Sequence, residues 1–200
     1  KIESAAVDLG LSLNRQKCEI IGHTDQSRDY FSSRGIILPE VDHTSATLLG
    51  SPLSENKIDE TLAQKRQELK MISERLSFMP SHDALYLLRF VIAMPRLLYI
   101  LRTAPCTGHN GLQLYDDLLK KIINGTLNIE LNQSSWQQAL LPVRWGGLGI
   151  RSSVQLAPSA YLASAASTAL LTKQLLPERL HNVEDNSIVL PDRCVVAQLN

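Results

Sequence analysis

Gly10-Leu11-Ser12-Leu13-Asn14-Arg15-Gln16-Lys17-Cys18-Glu19, followed by Leu48-Leu49-Gly50-Ser51-Pro52-Leu53, is the pair of segments on which the reading of this chain turns. Residues 2–9 read as the end of a helix, closed by Gly10. Residues 11–14 alternate apolar and polar, as a half-buried strand does. A turn at 14–16 leads into a second short strand at 18–21. Residues 23–34 are polar and read as a loop. Residues 35–41 and 47–49 carry further strand runs, and Gly50-Ser51-Pro52 is turn chemistry. The lysine turn and the glycine-proline hairpin are expected to come together as neighbouring strands.

Beyond Ser54 the apolar period changes from two to about 3.6. Ser54 or Asn56 can cap a helix whose stripe is Ile58, Leu62, Leu69, Ile72, Leu76 and Met79. Pro80-Ser81 ends it. A second helix over 83–103 is apolar nearly all round and belongs at the centre of a bundle, with Pro95 kinking or dividing it. Arg89 and Arg96 are placed on one face of it. The run 84–101 has the length of a membrane span, but two arginines would be costly in hydrocarbon, so it reads as a buried helix. A third helix over 112–124 turns Leu114, Leu118, Ile122 and Ile123 inward and ends at Asn124-Gly125. Ser134 caps a short helix through Trp136. Residues 141–150, with three glycines and a proline, form a shaped turn or tight hairpin. Ser152 or Ser153 opens a helix that Pro158 restarts, and its Ala160, Ala163, Ala165, Ala166 and Ala169 suit close helix approach. The tail after Pro177 reads as weakly ordered.

The 200 residues are 44% hydrophobic and 20% charged, an ordinary globular balance. Twenty basic residues offset twenty acidic ones, which argues against a dedicated nucleic-acid binder. The neutrality hides one local bias. Residues 89–151 hold seven Lys/Arg against three acids, a surplus of four that reads as a solvated face or as a mild basic patch. Cys18, Cys106 and Cys194 are odd in number and far apart, which fits free thiols in a reducing compartment. No zinc-ligand spacing occurs, and no basic flank leads into an apolar leader run. The expected location is intracellular, cytoplasmic or nuclear. The chain opens in mid-helix without an initiator Met, which suggests a fragment.

Together the 10–19 and 48–53 segments resemble the last two motifs of the polymerase palm in reverse transcriptases of the non-LTR retroelement type. The resemblance extends over residues 1–172. It implies an α+β, mainly α, fold: a small antiparallel strand remnant of a palm over 1–53, a helical thumb over 54–125 and a post-thumb helical connector over 126–200. By the same resemblance Lys17 donates a proton to the leaving pyrophosphate, a role that suits phosphoryl transfer, where charge neutralisation carries the catalysis. On its own, a lysine in this position reads as a solvated surface residue.

The resemblance makes Leu49, Gly50, Ser51 and Pro52 a primer grip, and it places Lys65, Arg66, Lys70, Arg89 and Arg96 on the phosphates of an RNA–DNA template–primer duplex. The connector motif at 141–150 is similar to a segment found after the thumb in retroelement reading frames, with no chemical role attached. Trp136 and Trp145 could stack on bases, but read better as buried anchors.

The family's metal-binding aspartates lie N-terminal to the lysine motif. No cofactor is therefore expected in this chain, which would be inactive alone, while the complete family enzyme uses Mg2+ and partners the missing palm and fingers. Tyr115-Asp116-Asp117 imitates the metal motif, but it lies on a helical pattern downstream of Lys17. Its aspartates read as charges favourable to that helix's dipole. Gly146-Gly147-x-Gly149 has the wrong spacing for a dinucleotide site. The alternative reading is a helical protein-interaction module or a retroelement remnant without function.

Overall fold

The computed structural model describes residues 6–12, 14–21, 25–35 and 37–175. It is mainly helical with a few two-residue strands. The chain divides into two units, residues 1–57 and 58–200.

In the first unit residues 6–8 are helical, and Gly10, at φ +71°, follows them in the left-handed conformation. The expected strand at 11–14 does not form: Leu11, Ser12 and Asn14 lie outside any strand, and Leu13 is outside the described residues. Asn14 instead opens a turn, its Oδ1 accepting from Gln16 N at 3.1 Å. A 3-10 helix, Arg15–Lys17, follows. Strand β1 (Ile20–Ile21) pairs with β2 (Glu40–Val41) in parallel, where an antiparallel remnant was expected. The connection between them contains helix α1 (Asp25–Ser32), so the polar stretch expected to be a loop is the crossover that a parallel pair requires. Arg34 closes α1, its guanidinium 3.6 Å from the Tyr30 ring centroid. The expected strand run at 35–41 shrinks to β2; Ile37 is 92% exposed, and Ile36 is outside the described residues.

Strands β3 (Thr47–Leu48) and β4 (Ser51–Pro52) form an antiparallel hairpin. Its two-residue turn has Leu49 at φ 51° and Gly50 at φ 80°. Positive φ at both positions marks the primed turn whose twist matches the flanking strands. Lys17 thus ends a 3-10 helix and Gly50 sits in a hairpin turn, and the strands that follow them, β1 and β4, belong to two separate two-stranded sheets and not to one, so the expected neighbouring strands do not form.

The second unit is built of helices. Helix α2 (Glu55–Leu76) starts across the unit boundary, capped as expected by Ser54, whose Oγ accepts from Lys57 N at 3.3 Å. It buries Ile58, Leu62, Leu69 and Leu76. Helix α3 (Ser81–Leu87) runs through a π-turn (Leu88–Ile92) into α4 (Ala93–Thr103). The division anticipated from Pro95 is therefore real and takes this form. A proline ring in a regular helix collides with the carbonyl four residues back, and one inserted residue relieves the clash. Leu88, Leu97 and Leu101 are fully buried at the centre of the core. The α3–α4 rod is nevertheless two-sided: Tyr86, Phe90, Val91 and Tyr99 are exposed. It is long and apolar enough to cross a membrane by length and composition.

Helix α5 (Asn110–Leu127) extends past the expected Asn124-Gly125 end and stops at Asn128, in the left-handed conformation at φ 52°. Its inward stripe is Leu112, Tyr115, Asp116, Leu119 and Ile123, and Leu114 faces outward. Helix α6 (Gln133–Leu140) is capped by Asn132 and not by Ser134: Asn132 Oδ1 accepts from Ser135 N at 2.8 Å. A 3-10 helix (Val143–Trp145) and the glycine turn lead to helix α7 (Ser153–Leu175), which runs unbroken through Pro158. Residues on both sides of position 125, from Ile58 to Ala157, share one hydrophobic core. The small-residue face of α7 is packed only in its first half; from Ala166 onward the helix is exposed. The tail expected to be weakly ordered lies outside the described residues.

Candidate nucleic-acid interface

Lys17 ends the 3-10 helix and is exposed; its amide donates to Asn14 O at 3.1 Å. Cys18 is half-buried beside it, its thiol donating to Asn14 O at 3.4 Å. His23, read as a possible neighbour of Cys18, is outside the described residues. The hairpin offers its tip and not its strands. Leu49 is 89% exposed and Gly50 is exposed, whereas Ser51 and Pro52 are buried and cannot face a ligand. A leucine held at positive φ costs energy, and such outliers gather where a surface is used.

In the second unit the five candidate cations separate into groups. Arg66 and Lys70 stand one turn apart on α2, both reaching solvent. Lys65 is committed to Glu68 at 3.0 Å. Arg96 joins that pair in a crevice lined also by Leu69, Ile72, Ile92 and Tyr115. Arg89 lies elsewhere, with its guanidinium against Gly149. The inserted residue of the π-turn accounts for the divergence. It rotates the register by about 100°, so a seven-residue spacing no longer keeps two side chains on one face.

Tyr115 floors the crevice and donates its hydroxyl to Ala93 O at 2.8 Å, just past the π-turn. Burial raises its pKa, with the Asp116 and Glu68 charges adding and Arg96 opposing. Burial, reinforced by the Asp59 charge, likewise pushes the Cys106 thiol up to about 12. Both groups fold in their protonated form. Their contribution is complete below the unfolded-state pKa, from 9.0 for the thiol and 10.0 for the phenol, and is lost as pH rises through the folded values. Denaturant midpoints are therefore expected to fall as pH rises above 9. Cys106→Ala should show a shallower fall between pH 9 and 12, and an unchanged slope in that variant would contradict the assignment.

Asp116 is the residue the sequence placed least well. Its side chain is buried and accepts from Ser152 Oγ at 2.6 Å, Ser153 N at 2.8 Å and Val154 N at 3.3 Å. Ser152 Oγ in turn accepts from Gln155 N at 3.2 Å, and Ser153 Oγ donates to Leu112 O at 3.1 Å. The carboxylate serves the first turn of α7, where free amides and the positive dipole end both favour an anion. It does not serve the dipole of its own helix. Asp117 is exposed and accepts from Gln113 Nε2 at 3.0 Å. The imitation metal motif is thus an interhelical cap on a helix, as its pattern suggested it was not a strand turn. Among the described residues no three His, Cys, Asp or Glu side chains converge as metal ligands. His109 Nδ1 and Asp59 Oδ1, 2.8 Å apart, join the start of α5 to the start of α2, a link no sequence spacing announced.

Trp136 is a buried anchor as expected, but Trp145 is 62% exposed. The Arg144 guanidinium lies 4.9 Å from its ring centroid. With Asp116 buried, the surface of 89–151 carries its seven basic residues against two exposed acids, Asp117 and Glu130.

No protein-family model matches the chain, and neither the curated proteins nor the solved structures give a significant match to it.

Proposed function

We propose that the chain is a polynucleotide-binding module, with a small strand-bearing unit followed by a helical one. More specifically, we propose the C-terminal part of an RNA-directed DNA polymerase of the non-LTR retroelement type. In this reading the first unit ends the palm, Lys17 protonates the leaving pyrophosphate, and the hairpin tip grips the primer end. The helices of the second unit lie along the template–primer duplex as a thumb. Catalysis requires the palm and fingers that carry the metal-binding aspartates in that family, so this chain is incomplete alone.

The observation that carries the reading is the hairpin: an apolar side chain at 89% exposure on a primed turn, with the glycine beside it leaving the backbone open to close approach. The exposed Lys17 and the Arg66–Lys70 row of α2 support it with cations suited to phosphate.

Titration with a short RNA–DNA duplex at 50 mM and 200 mM salt tests it. A thumb making three phosphate contacts weakens with a log–log salt slope of roughly −2.5. The double variant Arg66→Glu, Lys70→Glu should flatten that slope by about two. An absence of duplex binding at low salt rejects the reading and favours the alternative, a helical protein-interaction module. That alternative draws on the zero net charge and on the exposed Leu170, Leu171 and Leu175 of α7.

A further inference from the structure

We propose that the glycine turn at 141–150 and the π-turn it packs against form a second binding surface, one for single-stranded nucleic acid. Two arginine–aromatic pairs stand there. Arg144 covers the Trp145 ring at 4.9 Å, and Arg89 covers the Phe90 ring at 4.5 Å. Both rings are open to solvent, Trp145 at 62% and Phe90 at 51%. They belong to adjoining elements, because the Arg89 guanidinium occupies the space where a Cβ on Gly149 would lie, 2.7 Å from its Cζ. Gly149 itself is at φ +68°, so both its backbone and its missing side chain serve this contact.

The charge around the rings has one sign. Residues 84–104 and 141–152 contain no acid; exposed Arg144 precedes the tryptophan and exposed Arg151 follows the glycine turn. Asp116 is buried and engaged with the first turn of α7, and the exposed Asp83 stands at the far start of the rod, seven residues before Phe90. Exposed rings beside arginines, in two segments whose own sequence holds no acid, match a strand whose bases stack and whose phosphates are anionic. A duplex, whose bases are already stacked, gains nothing from the rings. A protein partner matched to this surface would need acids placed opposite three arginines as well as an apolar face, and the proposal is for the strand. The surface excludes Lys17, the hairpin tip, Arg66 and Lys70, so it stands whether or not the polymerase reading does.

The full chain is titrated with a 12-nucleotide oligoadenylate, as RNA and as DNA, following tryptophan emission. Trp136 is buried, so quenching reports on Trp145. At 50 mM salt, either strand is expected to quench the emission, with Trp145→Ala weakening binding by roughly tenfold and Trp145→Phe keeping most of it. The exposed position of Trp145 leaves the fold of both variants intact, checked by circular dichroism. Binding to the RNA–DNA duplex should be unchanged by Trp145→Ala, which keeps this result separate from the thumb test. Equal affinity of wild type and Trp145→Ala for the single strand overturns the proposal, as does an absence of quenching. Concentration-dependent self-association that Trp145→Ala abolishes, with no strand binding, also overturns it and makes the surface a protein contact.

Discussion

Asp116→Ala is expected to destabilise the helical unit by about 4 kcal/mol, read as a lowered denaturant midpoint. The substitution removes the acceptor of the Ser152 hydroxyl and of the Ser153 and Val154 amides while all three remain in place. A buried donor left without a partner loses its full desolvation energy, which exceeds the net worth of the bond it made. Asp116→Asn separates the two parts of the effect. The amide keeps one acceptor oxygen and a similar shape, but it loses the charge opposite the helix N-terminus and brings two donors where only acceptors are wanted. Its destabilisation should be intermediate. An alanine variant within about 0.5 kcal/mol of wild type, as for an ordinary surface change, would show that the first turn of α7 is held by packing alone.

Gly147→Ala is the second large effect, about 3 kcal/mol of destabilisation. Its origin is contact and not conformation. A Cβ at this position would lie 2.0 Å from Leu141 O, 2.5 Å from Leu141 C and 2.6 Å from Gln138 O. All three atoms are backbone at the end of α6, so no side chain can swing aside. The turn is already fixed there by hydrogen bonds from Leu148 N to Ala139 O and from Gly149 N to Leu141 O. Thermal unfolding of Gly147→Ala beside Gly125→Ala checks the reasoning, since a Cβ on Gly125 meets nothing within 4 Å. Gly125 lies inside α5, where alanine is the better helix former, so that variant should be neutral or stabilised; a Gly147→Ala variant equally stable would show that no collision occurs.

What the sequence disclosed, and what it withheld, follows from the range of the forces involved. The α2 stripe and its Ser54 cap were legible because both are local: a period of 3.6 and a hydroxyl one turn from the amide it accepts. A turn near Gly50 was legible for the same reason, but not its position: the turn is Leu49-Gly50, and Ser51-Pro52, whose composition is that of a turn, is strand β4. The parallel β1–β2 pair was not, because a pairing across twenty residues leaves no mark in a window of four. The rotation between Arg89 and Arg96 was hidden in a proline whose presence predicts a defect but not its kind. Asp116 was misread because a helix dipole is a local argument, whereas its partners lie 36 to 38 positions away. Among the candidate site residues, Lys17, Leu49, Gly50, Lys70 and Arg96 are exposed, Lys65, Arg66 and Arg89 are half-buried, and Ser51 and Pro52 are buried. Trp145, expected to be a buried anchor, is exposed, because an aromatic among glycines gives no periodicity from which to infer its side.

The bond from Asp116 to the start of α7 has an evolutionary corollary. Acceptor and donors are encoded on either side of the glycine turn, so a recombination breakpoint between them would pair one lineage's carboxylate with another lineage's serines. Chimaeras joined there should tolerate exchange only when both parents retain the match.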